Sequence, residues 1–336
     1  MAKKDINWGE LGFAYMQTNS FVRMNWKDGK WSEPKLLTDY NITMNVAATA
    51  LHYGQAAFEG LKVFTLKNGD TAAFRPDENA KRMIASADRL LMEEISVDDF
   101  LKSLNILVKD NIDFIPPYGT GASAYVRPLL IGTGARIGVQ RADEYDFYML
   151  IMPVGPYYKG GIKPINALMN TEFDRAAPRG LGNVKSAGNY AAGLQNDYIG
   201  KAKGFPISLY LDSKEHKYID EFGTSNFVAI TKDGKYVTPE SQSVLPSITN
   251  KSLQQLAKDN GMIVEKRKIS IDELPDFVEV GSVGTASVIT PISSITYGDK
   301  VFKFGEPNTL LKLYKQLTGI QNGDLEDKHG WMYKIV

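Results

Sequence analysis

Arg179-Gly-Leu-Gly-Asn-Val-Lys185-Ser-Ala-Gly-Asn189-Tyr190 sets one lysine among glycine, serine and alanine. Small neighbours clear space around an amine. A solvated surface lysine gains nothing from that clearance, whereas an amine that bonds covalently to a flat group needs the backbone pressed close around it. Most lysines are solvated, so the stretch alone leaves both readings open. The remainder of the chain has to decide between them.

The chain has 336 residues, enough for two domains that each bury a core. With 43% hydrophobic and 23% charged residues it has the composition of a globular protein, and 39 basic against 39 acidic residues leave no net charge. That balance argues against nucleic-acid or membrane-surface partners. Zero cysteines exclude disulfides, thiolate metal sites and a cysteine nucleophile. His52, His216 and His329 are scattered without metal-ligand spacing, so no metal site is expected. The start, Met1-Ala-Lys-Lys-Asp-Ile-Asn-Trp, lacks the apolar run of a signal peptide, and no stretch approaches a membrane span. These features predict a soluble cytoplasmic protein.

Ser20 to Trp26 and Gly60 to Thr65 alternate like strands, and Asp28-Gly29 predicts a hairpin turn between Trp26 and Trp31. Pro76 opens a helical pattern reaching about Glu94, with Met83, Ile84, Ala87, Leu90 and Leu91 on one stripe. Phe147 to Val154 reads as a buried strand. Paired glycines and a proline follow, so residues 159–172 are the expected interdomain connection, between a smaller domain at 1–158 and a larger one at 173–336. In the second half, Ser208 to Asp212 and Asn226 to Thr231 read as strands. One helix is expected from a Thr249 cap to a Gly261 stop, another from Asn308 to Leu317 with Gly319 beyond it. Strands and helices mixed in this way predict an α+β protein of two domains.

If Lys185 holds an aldehyde cofactor as a Schiff base, pyridoxal phosphate is the natural candidate, and it makes three further demands. Its ring nitrogen needs a carboxylate. Glu221, in Ile219-Asp-Glu221-Phe-Gly-Thr224-Ser-Asn226, could supply one, with a solvated loop glutamate as the competing reading. Its phosphate needs oriented amides and a cation. Leu245-Pro-Ser-Ile248-Thr249 at a helix start and the glycine-rich turn Gly281-Ser-Val-Gly284-Thr285-Ala286 could offer amides, and Arg75 the cation, unless it is simply a surface residue. Its ring hydroxyl needs a donor, for which Tyr190 is placed, although a tyrosine there also suits a core. No nucleotide-binding glycine fingerprint is present.

Together these stretches resemble a known family. Tyr53-Gly-Gln-Ala-Ala-Phe58-Glu-Gly60-Leu-Lys62, Phe74-Arg75-Pro-Asp-Glu-Asn79-Ala80-Lys-Arg82, Tyr125-Val-Arg127-Pro, Val154-Gly-Pro-Tyr157, Lys185-Ser-Ala-Gly-Asn189-Tyr190, Glu221-Phe-Gly-Thr224-Ser-Asn226 and Gly284-Thr285-Ala286 look like the motifs of branched-chain amino acid aminotransferases. These are fold-type IV pyridoxal-phosphate enzymes, two-domain proteins in which each domain mixes sheet or barrel with helices. Seven motifs run in the family's order from about residue 10 to the C-terminus.

The resemblance implies that Lys185 is the Schiff-base lysine and that Arg75, Ile248, Thr249 and Thr285 hold the phosphate. It places Leu245 against the cofactor ring, Glu221 at the ring nitrogen, Tyr190 at the ring oxygen and Thr224 among the cofactor contacts. Tyr53, Arg127 and the Thr285-Ala286 turn would orient the substrate carboxylate, and Phe58, Tyr125 and Tyr157 would wall an apolar pocket. Arg175 also falls at a family-like position, without a settled role. The implied reaction is ping-pong transfer of the amino group from leucine, isoleucine or valine to 2-oxoglutarate, by a homodimer. A D-amino-acid aminotransferase or an aminodeoxychorismate lyase of the same fold is the alternative, and a non-catalytic binding protein a remoter one. Where some relatives carry a Cys-x-x-Cys redox pair, this chain has Ser287-Val-Ile-Thr290, so thiol regulation there is chemically impossible.

Overall fold

A computed structural model describes residues 6–156 and 161–336. It shows the α+β class expected, in two compact units. The first comprises Met1–Tyr157, Val184–Gly188 and Gly319–Val336; the second comprises Tyr158–Asn183 and Asn189–Thr318.

The alternating segments of the first unit build an antiparallel sheet. Its strands are β1 (Phe21–Lys27), β2 (Lys30–Trp31), β3 (Lys35–Leu37), β4 (Ala56–Phe58), β5 (Leu61–Thr65), β6 (Thr71–Phe74), β7 (Ser123–Gly132), β8 (Tyr145–Val154) and, from the chain end, β18 (Met332–Lys334). Their order is β18-β6-β5-β7-β8-β1-β2, with β3 on β1 and β4 on β7. The Asp28-Gly29 turn takes positive φ at both residues and sets Trp26 opposite Trp31, as the sequence predicts.

Strand β7 gives the sheet two unlike faces. Ala124, Val126 and Leu130 enter a core with Met83 and Ala87 of helix α2 (Pro76–Arg89) and Phe100, Leu104 and Leu107 of α3 (Val97–Asp110). The period of two then puts Tyr125, Arg127 and Leu129 on the opposite face. The shorter α1 (Thr49–Tyr53) precedes β4. Helix α2 ends at Arg89 rather than near Glu94. Leu91 adopts a φ of 52°, which breaks the helix and leaves that residue exposed instead of on the apolar stripe.

In the second unit a sheet closes on itself. It contains β9 (Ile165–Met169), β10 (Ile207–Leu211), β11 (Ile219–Phe222), β12 (Ser225–Thr231), β13 (Tyr236–Pro239), β14 (Val264–Arg267), β15 (Phe277–Gly284), β16 (Val288–Tyr297) and β17 (Lys300–Lys303). The path β11-β10-β9-β16-β15-β12 returns through a β11–β12 pairing, so that ring has no open edge. Phe222, Phe227, Val237, Ile292 and Ile295 belong to its core.

Several sequence expectations are corrected here. Residues 165–169, assigned to the connection, form β9 in the middle of the closed sheet, because parallel β10 and β16 pair on either side of it. The cap of α5 (Ile248–Asp259) is Ser247, whose hydroxyl accepts the Asn250 amide at 3.1 Å, while Thr249 lies inside the helix. Helix α6 (Asn308–Asn322) continues through Gly319. Gly281 lies within β15, so the turn proper is Thr285 to Ser287. Among the described residues no helix is long and apolar enough to cross a membrane.

The start of α6 depends on one buried carboxylate. Glu279 on β15 is 5% exposed and accepts the Thr309 and Leu310 amides at 2.9 and 2.8 Å, satisfying donors that no helical carbonyl can reach. Replacing Glu279 by alanine should cost about 2 kcal/mol, as expected for charge-assisted hydrogen bonds left unmade. Urea denaturation of Glu279→Ala against the parent checks this, and an unchanged midpoint would contradict it.

Candidate active site

Lys185 is placed by strand pairing. Ala57 bridges Ser186 antiparallel, and the Phe58 amide donates to the Lys185 carbonyl at 3.1 Å, so Lys185 stands opposite Phe58 as if on an added strand beside β4. This pairing joins Val184–Gly188 to the first unit, whereas the sequence reading put the lysine in a domain beginning at 173. The Lys185 amide also donates to the Ser86 hydroxyl of α2 at 3.2 Å. Its Nζ lies 4.8 Å from the centre of the Phe58 ring. Burial, together with the Arg82 guanidinium, brings the amine down to about 8, against the opposing pull of Glu59 and Tyr125. An amine so tuned can exchange its proton near neutral pH.

Beside Lys185, the outer face of β7 presents a cation among aromatic rings. The Arg127 guanidinium carbon sits 4.8 Å from the Phe58 ring centre and 5.3 Å from that of Tyr125, and its Nη2 donates to the Tyr125 hydroxyl at 3.1 Å. Arg127 Nε is buried without a hydrogen-bond partner among the described residues, a donor ready for an anion. Tyr125 and Arg127 line a cavity of about 180 Å3 with Tyr15, Tyr40, Leu150 and Met152, which the sequence reading did not single out. A Cβ at Gly60 would come within 2.8 Å of Tyr125 Cζ, so any larger residue there would displace the Tyr125 ring. Lys62, on β5 directly opposite Tyr125, is also lowered to about 8 by burial.

The other substrate and phosphate candidates described in this unit have partners of their own. Arg75 caps α2 with a φ of 47°, donates its amide to the Trp331 carbonyl at 2.8 Å and has its guanidinium 5.3 Å from the Trp331 ring centre. Tyr53 ends α1, with its hydroxyl on the Ile137 carbonyl. Tyr157 falls outside the described residues.

In the second unit the centre is Glu221. It lies within β11, 3% exposed, and is no loop glutamate. Arg175 Nη2 pairs with its Oε1 at 2.8 Å, the Leu245 amide donates to Oε1 at 3.0 Å, and Asn226 Nδ2 donates to Oε2 at 2.7 Å. Burial pushes its carboxyl up, against Arg175 and those two donors. Arg175 is itself fixed by the Gly182 carbonyl at 2.8 Å and by the Ser243 carbonyl. The network continues from Asn226 to Asn250 at 3.1 Å and on to the Tyr236 hydroxyl at 2.8 Å, residues that sequence reasoning missed because their meaning lies in partners far along the chain.

Ile248 and Thr249 are buried in the first turn of α5, close in sequence to Leu245. Thr224 sits exposed in the tight turn that joins β11 to β12. Thr285 and Ala286 form the turn between β15 and β16, followed by Val288 with a φ of 63°. A β-branched residue in that region is strained, a feature that concentrates at functional turns. Tyr190 lies half-buried on α4 (Ala187–Ala202).

With this geometry established, comparison with known proteins gives a consistent result. The family described as amino-transferase class IV matches residues 56–295. The chain is 46% identical to a branched-chain-amino-acid aminotransferase of Haemophilus influenzae, covering 99% of both chains. It is 43% identical to the protein of that name from Helicobacter pylori, over 99% of this chain and 98% of that one. Among solved structures, the branched-chain amino acid aminotransferase from Escherichia coli superposes with a TM-score of 0.74 at 26% identity, covering 94% of this chain and 99% of the other. A half-buried lysine of lowered pKa, a buried carboxylate held by arginine and a match across most of the chain have one explanation: the chain belongs to the class IV aminotransferases.

Proposed function

We propose that the protein is a pyridoxal-phosphate-dependent branched-chain-amino-acid aminotransferase, moving the amino group of leucine, isoleucine or valine to 2-oxoglutarate. The single observation that carries this reading is the setting of Lys185, half-buried and fixed by pairing with Phe58 and by Ser86, with its amine lowered to about 8. Structures similar in fold to this one include the branched-chain amino acid aminotransferase from Thermobaculum terrenum in its pyridoxal-phosphate form. The residues present fit that group. Lys185 offers the amine, Glu221 a carboxylate already held by Arg175 and two further donors, and the start of α5 a set of amides for phosphate.

When bound, pyridoxal phosphate draws into its ring the electron pair released at the substrate α-carbon. Glu221 would pair with the ring nitrogen, and Arg175 favours the ionised carboxylate this requires. Tyr190 would donate to the ring oxygen; Arg75, Ile248, Thr249 and Thr285 would hold the phosphate, with Thr224 and Leu245 as further contacts. Lys185 Nζ would take the proton from the substrate α-carbon, a task suited to a base whose pKa lies near the working pH. Arg127, Tyr53 and the Thr285-Ala286 turn would orient carboxylate. Phe58, Tyr125 and Tyr157 would receive the aliphatic side chain, each well-buried group contributing about 1.5–3 kcal/mol.

A cytoplasmic homodimer is part of the same reading. Val46, Leu51, Ile137 and Val139 are large apolar residues left in solvent, Val139 at 86% exposure, and such a group on one unit is what a second copy would cover. Val139→Asp should then weaken self-association by about tenfold or more, measured by sedimentation, since a charge would be desolvated at the contact.

For activity, L-leucine with 2-oxoglutarate should give glutamate, and D-alanine should not; exclusive use of D-alanine would point instead to the D-amino-acid enzymes of this fold. Arg175→Met should weaken cofactor binding by about tenfold or more by leaving Glu221 buried without its cation and so favouring the neutral acid. Equilibrium dialysis against pyridoxal phosphate reads this directly, and unaltered affinity would remove Arg175 from the account.

A further inference from the structure

A second ion pair, Glu59 with Arg82, is buried beside Lys185, and the proposed chemistry gives it no task. Glu59 is 0% exposed. Arg82 grips it with both arms, Nε to Oε1 and Nη2 to Oε2, each at 2.7 Å. Asn79 Nδ2 donates to Oε2 at 2.8 Å and to the Gly60 carbonyl at 3.2 Å, and the Gly60 amide donates to Oε2 at 3.2 Å. Every carboxylate oxygen is therefore satisfied. As a stabilising device this is a poor choice, because desolvating two charges consumes most of what their attraction returns, and well-packed apolar groups would serve the fold as well.

The placement suggests another use. Asn79, Arg82 and Ser86 follow one another at helical spacing along one side of α2. Asn79 and Arg82 hold the Phe58-Glu59-Gly60 segment, and Ser86 accepts the Lys185 amide at 3.2 Å. One rigid helix thus fixes the lysine backbone and the two charges at once. Both charges act on the amine in opposite senses, Arg82 disfavouring its proton and Glu59 favouring it. Lys185 in turn helps to keep Glu59 ionised, after Arg82 and against the cost of burial.

We propose that Glu59 and Arg82 are positioning residues for Lys185, an oppositely charged pair clamped by α2 whose balance governs when the lysine nitrogen holds its proton. The proposal rests on the reading that Lys185 bonds to pyridoxal phosphate. The charged and titratable groups of the first unit that bear on this amine are Glu59 from the β4–β5 link, Arg82 from α2, and Tyr125 and Arg127 from β7. Removing Glu59's charge leaves the cations unopposed, so the nitrogen loses its proton at lower pH. Removing Arg82's charge takes away the neighbour that disfavours the lysine proton, while Lys185 itself and the Asn79 and Gly60 donors still hold Glu59 ionised, so the proton is held to higher pH.

The test is an absorbance titration of the holoenzyme, whose cofactor band reports the proton on the linked Lys185 nitrogen. The pH midpoint should fall by about one unit in Glu59→Gln and rise by about one unit in Arg82→Gln. The double variant Glu59→Gln/Arg82→Gln, which leaves no unpaired charge, should return near the parent value and guards against a single variant that fails to fold. A merely structural role would move both single variants the same way. Midpoints that shift together, or do not shift, overturn the proposal. A parent protein that takes up no cofactor would instead defeat the functional reading itself, so the two failures are distinguishable.

Discussion

Keeping a lysine amine out of water while leaving it reactive is the constraint on which the first unit turns. An isolated buried charge is expensive, and a lysine answers by giving up its proton more readily. For Lys185 the surroundings set that response. Phe58 and the strand pairing shield it in part from solvent, Arg82 opposes the proton, and Glu59 with Tyr125 favours it. The sheet's two unlike faces follow from the same need. One face is spent on packing against α2 and α3, leaving the other to carry Tyr125, Arg127 and Phe58 around the amine.

The second unit answers the mirror-image problem, a carboxylate that must stay charged while buried. Glu221 lies on the face of β11 opposite the ring's apolar core, with Asn226 beside it, and burial drives it towards the neutral acid. Arg175, the Leu245 amide and Asn226 counter that tendency with three directed contacts. Asn226 is in turn held by Asn250, inside α5, so the helix beginning beside Leu245 also braces the carboxylate. A closed barrel suits this task because its strands cannot slip in register without breaking the ring.

Much of the chemistry was legible in the sequence because it depends on residue type at short range. Small neighbours mark Lys185, alternation marks β1 and β5, a continuous apolar run marks β8, and Asp28-Gly29 marks its hairpin. What was not legible depends on partners distant along the chain. Nothing local in residues 165–169 announces that β10 and β16 will pair on either side of them. Nothing around Val184 to Gly188 says that this stretch will join β4, more than a hundred positions earlier. Glu221 read equally well as a loop residue because Arg175 and Leu245, which close over it, lie far along the chain, and Arg175 had no settled role until its carboxylate partner was found. The α2 boundary failed for a subtler reason: Leu90 and Leu91 continue the apolar period, but the backbone turns left-handed at Leu91. Periodicity reports which side chains could share a face, not where the backbone stops.

The most direct measurement is borohydride reduction of the purified holoenzyme followed by peptide mapping. The expected result is a yellow protein that loses its visible band on reduction and carries one pyridoxyl group, on Lys185. A colourless protein that takes up no pyridoxal phosphate, or a reduced adduct on another lysine such as Lys62, would contradict it.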